Sequence, residues 1–159
     1  MRKIVLVRDV YDTTMSIRRM IFKGAERFLR NIGNRFWAEY YWCTVHENLL
    51  ALDILDSAHT TWVRYEDMVG TPKETTQRLF DFVGSCQKTG VNAYNPPEDR
   101  EWKWGEDDGG RKIRSLKVHS PPPSAFNNTY LLRVIHNSER ILSLRKRLGY
   151  NELPEVDKS

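Results

Sequence analysis

Two short runs of strand-forming residues, Ile4–Val7 and Thr60–Arg64, are separated by a long stretch of helical periodicity. Strands that alternate with helices imply parallel pairing and an α/β layer fold. The first run is four consecutive apolar residues, the pattern of a strand covered on both faces. It ends in Arg8-Asp9. A buried strand has no need of an arginine at its exit, whereas a ligand bearing a phosphate does.

The remaining segments read as helices and one long loop. Asp12 caps a helix running to about Lys23, with Ile17, Met20 and Ile21 as its apolar stripe, and Gly24, Gly33 and Asn34 punctuate the next stretch. A long helix is expected from about Arg35 to Ser57, its core stripe formed by Trp37, Tyr41, Val45, Leu49 and Leu52. The clearest local signal is residues 71–84. Thr71 caps, Pro72 takes the first helical position, Glu74 completes a capping box, Leu79, Phe80 and Val83 face inward, and Gly84 ends the helix. Residues 85–126 are rich in Pro, Gly and acidic side chains and read as a surface excursion. A last amphipathic helix is expected over Thr129–Leu148 through Leu131, Leu132, Ile135, Ile141, Leu142 and Leu148, with Gly149 as its stop. In it, Arg145, Lys146 and Arg147 suit the negative end of the helix dipole. No internal repeat is present. Residues 1–150 are assigned to one domain and 151–159 to a polar tail.

Composition narrows the function. The chain is 40% apolar and 29% charged, enough for a packed core. Its net charge of +4 suits an anionic small molecule. Basic residues are interleaved with acidic ones and no stacking-aromatic motif occurs, so a nucleic-acid partner is not expected. Cys43 and Cys86 lack the spacing of a zinc or thioredoxin site; a disulfide and two separate thiols both stay open. His46, His59, His119 and His136 share no metal-ligand spacing, and no metal is implied. No apolar stretch approaches membrane-spanning length.

In open parallel sheets, ligands bind outside the carboxyl ends of the strands. Arg8 ends the first strand and Arg64 the second. The Arg8 guanidinium offers a planar fork of donors suited to phosphate oxygens. Ser16 is placed in the first turn of the following helix, where its hydroxyl and the positive end of that helix face the same anion. Together they form half of a phosphate cradle.

These residues carry a resemblance. "IVLVRDVYDTTMS" resembles the 3′-phosphate-binding segment of sulfotransferases that use 3′-phosphoadenosine 5′-phosphosulfate (PAPS), with Arg and Ser eight residues apart. "WVRYEDMVGTPKETTQRLFDFVG" resembles that family's RYEDL strand with its Pro-started helix. Trp37–Leu52 is similar to the long helix before it, and "ILSLRKRLGY" to the closing helix of carbohydrate-type members. The resemblance implies that Arg8 and Ser16 hold the ribose 3′-phosphate of PAPS or of its product adenosine 3′,5′-bisphosphate, and that Tyr65 contacts the adenine. Arg64, Glu66 and Asp67 are then structural.

The chain also departs from the family pattern. "RDV" replaces "RDP", "GGRK" at 109–112 has the wrong order for the family's basic-glycine segment, and nothing matches the 5′-phosphosulfate loop "PKSGTTW". The implied fold is a three-layer parallel sheet with flanking helices, like that of P-loop nucleotide-binding proteins and incomplete at the N-terminus. The implied function is transfer of a sulfuryl group to an acceptor hydroxyl or amine, a carbohydrate in the carbohydrate-type branch. The alternative is a non-catalytic nucleotide-binding or interaction protein derived from such an enzyme. The LGY ending and the Asn127-Asn128-Thr129 sequon lean towards the secretory pathway (the Golgi lumen) over the cytoplasm. Arg111, Lys112, Arg114 and Lys117 read first as a solvated face of the long loop and Trp102 and Trp104 as its anchors; the alternative is contact of the basic cluster with an anionic carbohydrate acceptor or the nucleotide, and stacking of the two rings on sugars.

Overall fold

The computed structural model describes residues 1–21, 27–93, 118, 126–150 and 153–154. Of the long loop, residues 94–117 and 119–125, with Trp102, Trp104, His119 and the basic cluster, lie outside the described residues. The chain divides into two compact units. One comprises Met1–Leu6 and Thr61–Pro122, the other Val7–Thr60 and Pro123–Ser159.

The first unit is built on two paired parallel strands, β1 (Lys3–Val7) and β2 (Thr60–Arg64). Both lie where the β-branched runs place them. Along β1 the exposed side chains alternate, with Ile4 and Leu6 open to solvent at 46% and 56%. After β2 come a short helix α4 (Tyr65–Gly70), which no local signal in the sequence announces, and α5 (Pro72–Val83). Val63, Val69, Thr75 and Leu79 form the buried centre of this unit. Helix α5 has the expected limits. Pro72 occupies its first turn, and Gly84 closes it at φ 72°, a left-handed conformation in which a side chain is strained.

The expected capping box is replaced by a corner. Thr71 occupies the N-cap, but its hydroxyl donates to the Asp67 carbonyl at 3.2 Å, as the Thr75 hydroxyl does at 3.1 Å, so both serve the α4–α5 junction. Gly90 passes so close to α5 that a Cβ there would meet the Lys73 carbonyl oxygen at 1.8 Å.

The second unit is helical: α1 (Val10–Ile21), α2 (Arg27–Arg35), α3 (Cys43–Leu55), α6 (Thr129–His136) and α7 (Glu139–Arg147). Between α2 and α3 the helix widens to a π-helix over Phe36–Trp42. Its i→i+5 bonding puts one more residue into each hydrogen-bonded loop and shifts the inward face. The buried seam is therefore Ala38, Trp42, Cys43 and His46, while Tyr41, Val45 and Leu52 of the expected stripe are exposed at 45%, 37% and 57%. The aromatic surplus packs on itself outside: Phe36 stacks on Tyr40 at 5.3 Å, and Trp37 meets Tyr41 edge-on at 4.9 Å.

The expected final helix is two. The Asn137-Ser138 step breaks it, and Ser138 caps α7 by accepting from the Ile141 N–H, while Asn128 caps α6 at 3.1 Å from the Leu131 N–H. Leu131, Leu132, Ile135, Ile141, Leu144 and Leu148 are buried; Leu142 is exposed. Gly149 follows at φ 81°. No described helix is long and apolar enough to cross a membrane. Both cysteines are free thiols, Cys43 buried and Cys86 exposed.

Candidate functional site

Arg8 lies in the two-residue link between β1 and α1 and is half-buried. Its backbone is held from two sides. The Trp42 indole Nε1–H donates to the Arg8 carbonyl at 3.0 Å, and the Thr13 hydroxyl approaches the same oxygen at 3.4 Å. Trp42 is 1% exposed, and it is backed by His46, whose ring lies 4.2 Å from the indole and whose Nδ1 is 2.7 Å from the Trp42 carbonyl. Burial holds His46 below its ordinary pKa of 6.5, partly opposed by that backbone bond. Cys43, also in this seam, has its thiol pushed up to about 11 by burial.

The second residue of the link corrects the expected helix start. Asp9, and not Asp12, caps α1. Its Oδ1 accepts from the Tyr11 N–H at 2.8 Å, and its carbonyl accepts the first intrahelical bond from Thr13 N–H at 2.9 Å. The helix thus starts earlier than expected, because Asp9 reaches an orphan N–H that Asp12 cannot. Ser16 is consequently in the second turn, not the first. It is half-buried, on the helix face that carries Asp12 and Thr13 one turn before it. The inward face of α1 is Val10, Tyr11 and Thr14, whereas Ile21 is 58% exposed.

The other Asp9 oxygen, Oδ2, takes a fork from Arg145 on α7, with Nε at 2.9 Å and Nη2 at 2.8 Å. Asp9 is 8% and Arg145 4% exposed. Desolvation raises the Asp9 carboxyl above its ordinary value, outweighing the lowering by the Arg145 charge and the Tyr11 N–H. Tyr150 lies beside this pair: its N–H donates to the Arg145 carbonyl at 2.8 Å, and the guanidinium lies 6.0 Å from its ring centroid. Arg145 is thus a core residue, not a dipole-compensating surface charge. The signal for it was present: Ile141, Leu144, Arg145 and Leu148 follow the helical stripe, and a charge inside a stripe calls for a buried partner.

The structure places Arg8 and Ser16 in the same unit, Arg8 ahead of the α1 N-terminus and Ser16 in the second turn of that helix. Tyr65 belongs to the other unit, where it opens α4 and is half-buried. Beside it Arg64 folds onto Asp67 in a two-point contact, Nε to Oδ2 at 2.9 Å and Nη2 to Oδ1 at 2.7 Å. An open groove of about 370 Å³ lies elsewhere in the helical unit, lined by Ile32, Phe36, Tyr40, Tyr130 and the Arg35–Glu39 ion pair. It includes neither Arg8 nor Ser16.

A family model, described as the sulfotransferase family, matches residues 1–86. No curated protein and no solved structure matches the chain. The matched stretch is more than half of the sequence and contains β1, the Arg8-Asp9 link, α1, β2 and α5; the chain belongs to the sulfotransferase family.

Proposed function

We propose that this chain binds the 3′-phosphate of PAPS and of adenosine 3′,5′-bisphosphate through Arg8 and Ser16, as part of a sulfotransferase acting on a hydroxyl or amine, with a carbohydrate as the favoured acceptor. The observation that carries the reading is the fixed Arg8 carbonyl. A guanidinium leaving a backbone that is held by Trp42 and Thr13 starts from a fixed point, and a planar fork of donors suits a phosphate. The donor set fits the group: a cation ahead of a helix N-terminus and a hydroxyl on the second turn of that helix complement a dianion.

The bound donor supplies the sulfuryl group, whose bond to the phosphate oxygen breaks as one to the acceptor oxygen or nitrogen forms, the acceptor proton passing to a base. The chain's own residues bind and orient. Arg8 neutralises the ribose phosphate and Ser16 adds a neutral donor. Rate enhancement in such a transfer comes mainly from positioning and charge stabilisation. Calorimetry of the 159-residue chain with adenosine 3′,5′-bisphosphate tests the reading. Arg8→Ala is expected to weaken binding by about 10- to 100-fold and Ser16→Ala by about fivefold. Unaltered affinity in Arg8→Ala would overturn it.

A further inference from the structure

We propose that Arg145 is a positioning residue for the phosphate grip: its buried fork on the Asp9 carboxylate fixes and neutralises the link that carries Arg8. This rests on Arg8 being the residue that binds the 3′-phosphate. Four contacts converge on two residues. The Arg8 carbonyl is taken by Trp42 and Thr13, and the Asp9 carboxylate by Tyr11 N–H and Arg145. The peptide between them is held on both sides, so few backbone rotations remain to redirect the Arg8 side chain.

Charge supplies a second reason. An uncompensated carboxylate next to a phosphate-binding arginine repels the anion and competes for the guanidinium. Arg145 cancels that charge with a two-point contact from a different helix, and both partners are buried, so solvent does not screen the effect. A buried ion pair is a weak source of stability compared with well-packed apolar side chains. Its value here lies in holding a turn.

The test compares affinities for adenosine 3′,5′-bisphosphate and adenosine 5′-monophosphate, because positioning of Arg8 affects only the ligand with the 3′-phosphate. Two variants of the full chain are used, each checked for a wild-type circular dichroism spectrum. Arg145→Lys keeps the buried charges paired but loses the fork. Asp9→Asn with Arg145→Gln removes both charges together and leaves none unpaired. Each is expected to lower the bisphosphate-to-monophosphate affinity ratio by about fivefold or more, with monophosphate affinity unchanged. In an Arg8→Ala background neither is expected to lower the ratio further, since they act through the same side chain. A wild-type ratio in either variant, equal weakening of both nucleotides, or effects that add to Arg8→Ala would overturn the inference. If the wild-type chain does not distinguish the two nucleotides, the assignment of Arg8 fails and the inference with it. If it does, and only the Arg145 variants are silent, the inference alone fails.

Discussion

Three polar side chains in the helical unit, Asp9, Arg145 and His46, are buried at positions that a surface charge would not occupy. Asp9 and Arg145 satisfy each other, while His46 takes the Trp42 carbonyl. None was legible as core from residue type alone. Arg145 was betrayed only by its place in the Ile141–Leu148 stripe, and His46 was displaced from its expected face by the π-helix before it. His46 makes stability depend on pH. Its folded pKa lies below 6.5, so at lower pH the unfolded chain binds a proton that the folded chain refuses. The unfolded state then holds more protons, stability rises with pH in this window, and it is lost as pH falls through the folded value. Urea denaturation of wild type and His46→Gln at matched pH isolates this contribution, because the opposite dependence from Asp9 cancels in the difference. The wild type is expected to lose more stability than the variant between about pH 7.5 and 5.5. Parallel losses would contradict the assignment of His46 as a neutral buried ring.

At the scale of elements, both strands and α5 were legible because their signals are local: β-branched runs, Pro72 at a first turn, Gly84 at a stop. The start of α1 and the division of the last helix were not. Each is decided by which side chain reaches an orphan N–H, and sequence offers several acids and hydroxyls within reach. Asp9 prevails over Asp12, and Ser138 interrupts a stripe that would otherwise run through. Thr71 shows the converse, a residue in the capping position whose hydroxyl goes elsewhere. Asn128→Ala is therefore expected to cost about 1 kcal/mol in chemical denaturation. Thr71→Ala, which removes no cap, is expected to stay within about 0.5 kcal/mol of wild type. The reverse order would contradict these cap assignments.

Across the whole chain, the family match ends at residue 86, yet the unit holding Arg8 is completed by residues beyond it. Leu131, Leu132, Ile135, Ile141 and Leu144 bury five aliphatic side chains there. At about 2 kcal/mol each they contribute on the order of 10 kcal/mol, as much as the net stability of an ordinary domain. The C-terminal helices are thus part of the foundation of the Arg8-Asp9 link, and through Arg145 part of its geometry. The Arg8-Asp9 link itself was legible as the junction between a strand and a helix. Its supporting frame was not, because Trp42 and Arg145 meet the link only through tertiary packing.

The most direct test of the phosphate grip is phosphorus NMR of adenosine 3′,5′-bisphosphate titrated with the full chain. The 3′-phosphorus resonance is expected to shift on binding and its second ionisation, ordinarily near pH ~6, to move lower, with both effects absent in Arg8→Ala. A response confined to the 5′-phosphorus, or an unchanged 3′-phosphorus response in Arg8→Ala, would contradict it.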